Sequence, residues 1–281
     1  MSEESPRPDL APPPSSLPPP PQRQLRLDLA YDGTAYAGWQ VQPDVPTVQG
    51  VVEAALAKLL KRPVRVLGAS RTDAGVHALQ QVCVFRAGDG PPPEKFRLAL
   101  APFLPGDVSV LRSCEVPDDF HPLRSVTRKT YRYLFHEANA AHPVLGRYAW
   151  RIAPPLDLDA MNAAAAVICG THDFACFEST GSPRGSTVRT LFASAVAEVP
   201  AWPPFAVPHS ADAGGRWLQY EVTGDGFLYN MVRAIAGTLA DAGRGKLAPA
   251  DVAKILASKD RTRAAATAPA KGLTLASIET A

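Results

Sequence analysis

Between Leu25 and Val116 the hydrophobic pattern switches repeatedly between a period of two and a period near 3.6, and the order of those switches limits what the chain can fold into. Leu25, Leu27, Leu29 and Tyr31 alternate with Arg26, Asp28 and Ala30, which predicts a half-buried strand closed by a turn at Asp32-Gly33. After a loop from Thr34 to Pro46, Thr47 is a good N-cap for a helix whose stripe is Val48, Val51, Val52, Ala55, Leu56, Leu59 and Leu60, stopped by Pro63. Pro63 to Leu67 and Gln81 to Phe85 read as strands. A helical pattern through Phe96, Leu100 and Phe103 and an extended stretch from Asp107 to Val116 follow. The order β-α-β-β-α-β is that of the split βαβ, ferredoxin-like unit, an antiparallel sheet with both helices on one face.

The second half repeats this order loosely. Tyr131 to Phe135 alternates as a strand, Met161 to Ile168 reads as a helix stopped by Gly170, and Thr187 to Val199 and Trp217 to Val222 read as strands. Helices are expected from about Phe227 to Ala240 and from Pro249 to Ala257, and the Pro-, Ala- and Gly-rich stretch from Pro200 to Gly215 reads as a long loop. The expected fold is α+β: two ferredoxin-like subdomains, 25–119 and 120–281, whose antiparallel sheets meet at their free faces to form a central basic cleft. Residues 1–24, with Pro12-Pro13-Pro14 and Pro18 to Pro21, cannot supply a packed core and read as a disordered or polyproline II tail.

Several classes of function are disfavoured. No apolar run nears the roughly 20 residues of a membrane helix, and the N-terminus lacks a secretion signal, so the cytoplasm is the expected location. The scattered cysteines Cys83, Cys114, Cys169 and Cys176 suit free thiols better than a disulfide framework. A Walker loop and a Gly-x-Ser-x-Gly elbow are missing, and Gly224-Asp225-Gly226 lacks the third glycine of a dinucleotide loop. Cys169, His172 and Cys176 have ligand-like spacing without a completing pair, so a site free of metal and of cofactor is expected. The net charge of +2 does not by itself announce a nucleic acid. Local clusters free of acid do point to a phosphate-rich ligand: Arg124, Arg128, Lys129 and Arg132; Arg184 and Arg189; Arg261, Arg263 and Lys271.

Between two of the predicted strands runs Gly68-Ala69-Ser70-Arg71-Thr72-Asp73-Ala74-Gly75-Val76-His77-Ala78, a loop of small residues carrying an arginine, a carboxylate and a histidine. Asp73 either closes an Asx turn onto its own backbone or does chemistry, and residue types leave both open. On the helix after Phe227, Arg233 stands at the edge of the apolar stripe, either as an ordinary ion pair or as the cation that a buried, ionised Asp73 requires.

Ser70 to Ala78 resembles the active-site motif of the tRNA pseudouridine synthases that act at positions 38, 39 and 40 of the anticodon stem-loop. The likeness extends through Tyr31-Asp32-Gly33-Thr34, Gly38-Trp39-Gln40, Thr47 to Gly50, Lys129 to Tyr133, Gly170 to Phe174, Val188-Arg189-Thr190, Phe227 to Arg233, Thr267 to Ala270 and Gly272-Leu273. The resemblance implies that Asp73 is the catalytic carboxylate, that Tyr131 stacks on the target uracil and that Arg233 pairs with Asp73. Arg71 would take the place of the flipped base, and Lys129 and Arg189, in matched segments, would bind substrate. It also implies tRNA as partner, a homodimer and no cofactor. The chemistry suits these types, since a carboxylate can attack C1′ or remove the 2′ proton without a cofactor. A base in a stem must be flipped first, and an inserted arginine and an aromatic platform offset part of the lost stacking. Two departures stand out: Ser70 replaces a usual glycine, and His121-Pro122-Leu123-Arg124-Ser125 moves an arginine by one place. Competing readings are a tRNA-binding protein or chaperone without turnover, and a uridine-releasing N-glycosidase.

Overall fold

The computed structural model describes residues 22–141, 143–181, 185–200 and 215–281. The predicted tail, Arg184 and most of the Pro200 to Gly215 loop lie outside them. The strands are β1 (Arg23–Tyr31), β2 (Leu67–Gly68), β3 (His77–Ala87), β4 (Val108–Val116), β5 (Val126–Glu137), β6 (Trp150–Ile152), β7 (Gly170–Asp173), β8 (Val188–Val199), β9 (Arg216–Gly224) and β10 (Leu273–Thr280). The helices are α1 (Val48–Leu60), α2 (Phe96–Leu100), α3 (Leu158–Val167), α4 (Met231–Gly243) and α5 (Pro249–Ser258). This is the mixed α and β architecture expected.

All these strands belong to one sheet, in the order β4-β1-β3-β10-β5-β9-β8-β7, with β2 on β3 and β6 on β5. The halves therefore do not face one another across a groove, as the repeat suggested; they lie side by side. The join is β10, which pairs antiparallel with β5 from Leu273 to Thr280 and parallel with β3 only at Thr274–His77 and Leu275–Ala78. A strand from the C-terminus fills the seam, so the two sheets fuse at their edges and neither leaves an open edge there.

Alternation decides which side chains meet the helices. Leu25, Leu27, Leu29 and Tyr31 of β1 and Tyr131, Tyr133 and Phe135 of β5 join one core with residues of the five helices. Leu134 of β5 instead packs with Ala149 and Trp217, and His136 stacks on the Trp217 ring at 4.0 Å. The helices follow their local signals. Thr47 caps α1 by accepting from Gly50 N, and Lys61, at φ 55°, ends it. Asp157 caps α3 by accepting from Ala160 N.

Departures from the expected elements have local causes. The strand read at Pro63 to Leu67 shrinks to β2, because side chains of α1 take the backbone of Val66: its N–H donates to Glu53 Oε1 at 3.0 Å and its carbonyl accepts from Gln49 Nε2 at 3.1 Å. Pro102 has no N–H to continue α2, and Ala101–Phe103 tightens into a 3₁₀ turn. The helix expected from Phe227 begins at Met231, after Asn230 turns the chain at φ 59°. β10 was not expected at all, since its register shifts between Leu275 and Ser277 and again between Glu279 and Thr280, which scrambles the alternation of Leu273, Leu275 and Ile278.

One close approach fixes α4 against the segment that leads into β10. A Cβ on Gly237 would sit 2.0 Å from the Ala266 carbonyl oxygen. We expect Gly237→Ala to destabilise the fold by about 1–3 kcal/mol in urea unfolding, although alanine favours a helix elsewhere. A variant as stable as the parent would show that this segment is free to slide on α4.

Candidate active site

The loop from Gly68 to Val76 is shaped by contacts to three neighbours. Gln81 of β3, fully buried, grips Ser70 at both ends: its Oε1 accepts from Ser70 N at 3.2 Å and its Nε2 donates to Ser70 O at 2.7 Å. The Thr72 and Tyr31 hydroxyls bond at 2.7 Å, and the Thr72 carbonyl accepts from Trp39 N at 3.0 Å. The chain then turns over Asp73, with Val76 N donating to Asp73 O at 3.1 Å and Gly75 at φ 76°, a conformation that favours glycine. Gly38 packs so near that a Cβ would lie 2.7 Å from the Thr72 oxygen. Little freedom remains in the backbone that carries Asp73.

Among the described residues the Asp73 carboxylate pairs with Arg233, at 3.6 Å between Oδ2 and NH1, and both side chains are less than one-fifth exposed (19% and 18%). The ion pair joins two segments of the chain that are distant in sequence, which places beside Asp73 the cation that a buried carboxylate requires. Arg233 is itself held in place, because its Nε donates to Ala268 O at 2.8 Å and its NH1 to Asn230 Oδ1 at 2.7 Å. Burial pushes the Asp73 carboxyl above its ordinary range, and Arg233 opposes that without reversing it.

Tyr131 is buried beside the same loop. Its hydroxyl bonds Ser70 Oγ at 2.9 Å, and its ring meets the Phe227 ring edge-on at 5.0 Å. Lys129 reaches the loop as well, its Nζ donating to Ala69 O at 2.7 Å. Arg71 is exposed, next but one to Asp73. Arg189 lies near Gly226, one residue before Phe227, and donates from NH1 to the Ser186 carbonyl at 3.0 Å. The structure thus brings Asp73, Arg233, Tyr131 and Lys129 onto one loop, with Arg71 on its surface and Arg189 at the flank. Sequence reasoning missed the supports: Gln81, Asn230 and the Ala268 carbonyl. Asn230 and Ala268 lie in matched segments, Phe227 to Arg233 and Thr267 to Ala270, whereas Gln81 lies in none.

His77 serves the other end of the loop. Its Nδ1 accepts from Gly33 N at 3.0 Å and lies 3.1 Å from Asp32 Oδ1, while burial, more than Asp32 offsets, holds its pKa down. With Asp32, Leu79, Arg132, Leu134, Tyr148 and Trp217 it lines a cavity of about 690 Å³ to which Asp73 does not contribute. The trio Cys169, His172 and Cys176 does not converge: Cys176 is buried, Cys169 is exposed and His172 Nε2 lies 2.9 Å from the Cys169 carbonyl oxygen.

Comparison with known proteins gives the family. A family model described as tRNA pseudouridine synthase matches residues 29–123 and 164–279, and the chain belongs to that family. It is an isomerase that acts on uridine in tRNA. Proteins called tRNA pseudouridine synthase A are similar along almost their whole length. That of Thermoanaerobacter sp. (strain X514) is 40% identical over 256 residues, 91% of this chain and 99% of that one. Those of Ruminiclostridium cellulolyticum and Moorella thermoacetica are each 41% identical, over 91% of this chain and 99% and 98% of theirs.

The Asp73 environment has a measurable consequence. A carboxyl whose folded-state pKa is raised above its unfolded value holds its proton more tightly when folded, so stability falls as pH rises through that range. We expect Asp73→Asn to be more stable than the parent at pH 7, with the difference vanishing below about pH 3, where the unfolded carboxyl is protonated as well. Urea unfolding across pH checks this, and a less stable variant at pH 7 would mean that Arg233 outweighs burial.

Proposed function

We propose that the chain converts uridine to pseudouridine at positions 38, 39 and 40 of the tRNA anticodon stem-loop, with Asp73 as its catalytic carboxylate. The observation that carries this is the Asp73–Arg233 pair, held in a loop that also bonds Tyr131. Isomerisation breaks the bond from N1 of uracil to C1′, turns the base and joins C5 to C1′. Asp73 acts in its ionised form, either on C1′ or on the 2′ proton, and Arg233 keeps that form accessible despite burial. Tyr131 is the platform for the uracil ring, and Arg71, exposed on the loop, fills the gap left in the stem. Lys129, whose Nζ donates to Ala69 O, and Arg189 are the cations that meet phosphate.

The same proposal extends to architecture. The strand orders β4-β1-β3-β2 and β10-β5-β9-β8 are alike, which supports reading each half as a ferredoxin-like unit, with the basic cleft over the seam between them. The sheet face carrying Leu134 and Trp217 also presents Leu79, 51% exposed, beside Arg132 and Glu221, which pair at 2.7 Å. Such a face suits a second copy, and we propose that the enzyme is a cytoplasmic homodimer that contacts tRNA with both subunits.

The test of the chemistry is release of tritium from C5 of labelled uridine in unmodified tRNA, because forming the new bond expels that hydrogen. Asp73→Asn is expected to abolish release while tRNA binding stays within about tenfold. Replacing uridine at positions 38, 39 and 40 by cytidine should abolish release by the wild type; continued release would move the site elsewhere in the tRNA. Normal turnover by Asp73→Asn would sink the mechanism, and retained binding with no release by the wild type would favour the binding-protein reading.

For assembly, sedimentation equilibrium should give twice the chain mass, and Leu79→Glu should shift the molecule toward monomer by placing a charge in an apolar contact. A wild-type monomer at micromolar concentration would count against the dimer.

A further inference from the structure

The Ser70 hydroxyl has no part in the chemistry assigned to Asp73, yet it is buried, only 6% of the residue being exposed, and it lies 2.9 Å from the Tyr131 hydroxyl. The backbone on which it sits is fixed from both sides by Gln81. Tyr131 is also met at its ring by Phe227, nearly perpendicular at 81°. The Tyr131 hydroxyl lies on the axis about which its ring spins, so the contact to Ser70 opposes the swing of the whole side chain at its far end, while the Phe227 ring opposes the spin.

We propose that Ser70 is a positioning residue that fixes where the Tyr131 ring lies relative to Asp73. The platform for the base and the Asp73 carboxylate are thereby tied to one rigid loop, at Ser70 and at Asp73 three residues on, and move as a unit. The proposal rests on the reading of Tyr131 as the platform for uracil.

The test compares Ser70→Ala, Ser70→Gly, Tyr131→Phe and the double variant Ser70→Ala/Tyr131→Phe in single-turnover tritium release, with tRNA affinity measured separately. Loss of one buried hydrogen bond should slow the chemical step by about 2- to 10-fold, with affinity unchanged within about twofold. Alanine and glycine at Ser70 should act alike, because both delete the hydroxyl and only glycine loosens the backbone. The double variant should be no slower than the slower single one, since both remove the same bond. In tyrosine labelled with ¹³C at Cζ, the Tyr131 resonance, identified by its loss in Tyr131→Phe, should move in Ser70→Ala.

Effects that multiply in the double variant, a loss confined to affinity, a defect seen with glycine alone or an unmoved resonance would each overturn the proposal. Absence of tritium release by the wild type would overturn the platform reading instead. It would be recognised as such, because the resonance reports the Ser70–Tyr131 bond without turnover.

Discussion

The site depends on a seam two residue pairs long. β10 touches β3 in parallel only at Thr274–His77 and Leu275–Ala78, while it runs beside β5 for its whole length. His77 ends the loop that carries Asp73, and β10 is preceded by the segment whose Ala268 carbonyl holds Arg233. Setting the register of this short pairing therefore sets how far the Asp73 carboxylate lies from its cation. A slip of one residue would reverse every side chain of β10 and carry the Ala268 segment out of register with α4. The pairing with β5 is regular at Thr274 and Leu275, where β3 is also bound, and the bulges follow where β5 is the partner.

The electrostatics of the Asp73 loop work against folding. Desolvation raises the pKa of Asp73, and Arg233 is placed to oppose it, but at 3.6 Å the pair is longer than a close hydrogen-bonded bridge. A tighter bidentate pairing would stabilise the carboxylate more and leave it a poorer nucleophile or base. Arg233 is instead committed mainly to Ala268 O and Asn230 Oδ1, at 2.8 and 2.7 Å. Its position is then set by the scaffold and not by the group it serves, as preorganised charge in an active site requires.

Much of this was legible because strong local signals agree with the fold. The Thr47 cap and the stripe of α1, the alternation of β1 and β5 and the spacing of residues around Asp73 each point to one outcome. What was not legible rests on contacts between distant segments. The fusion into one sheet needs β10, whose alternation is broken by its bulges. The strand expected at Pro63 to Leu67 failed because Gln49 and Glu53, ordinary surface types on a predicted helix, turn inward and satisfy Val66. Gln81 could not be distinguished by type from any polar residue in a strand, yet it is fully buried and holds the loop that carries Asp73.

The two ends of that loop also serve different faces of the sheet. Asp73 looks toward the helices and Arg233, whereas His77, four residues on, belongs to the cavity with Arg132, Leu134 and Trp217. Tyr131 and Arg132 divide in the same way on β5, since adjacent side chains of a strand point to opposite faces: one bonds Ser70 and the other pairs with Glu221. A change on the far face thus has a short path to the chemistry through the backbone of β3 and β5, with no side chain shared. Gly33 N and Asp32 at His77, and Gln81 at Ser70, brace that path at both ends, so displacement of the far face would have to deform buried hydrogen bonds before it moved Asp73.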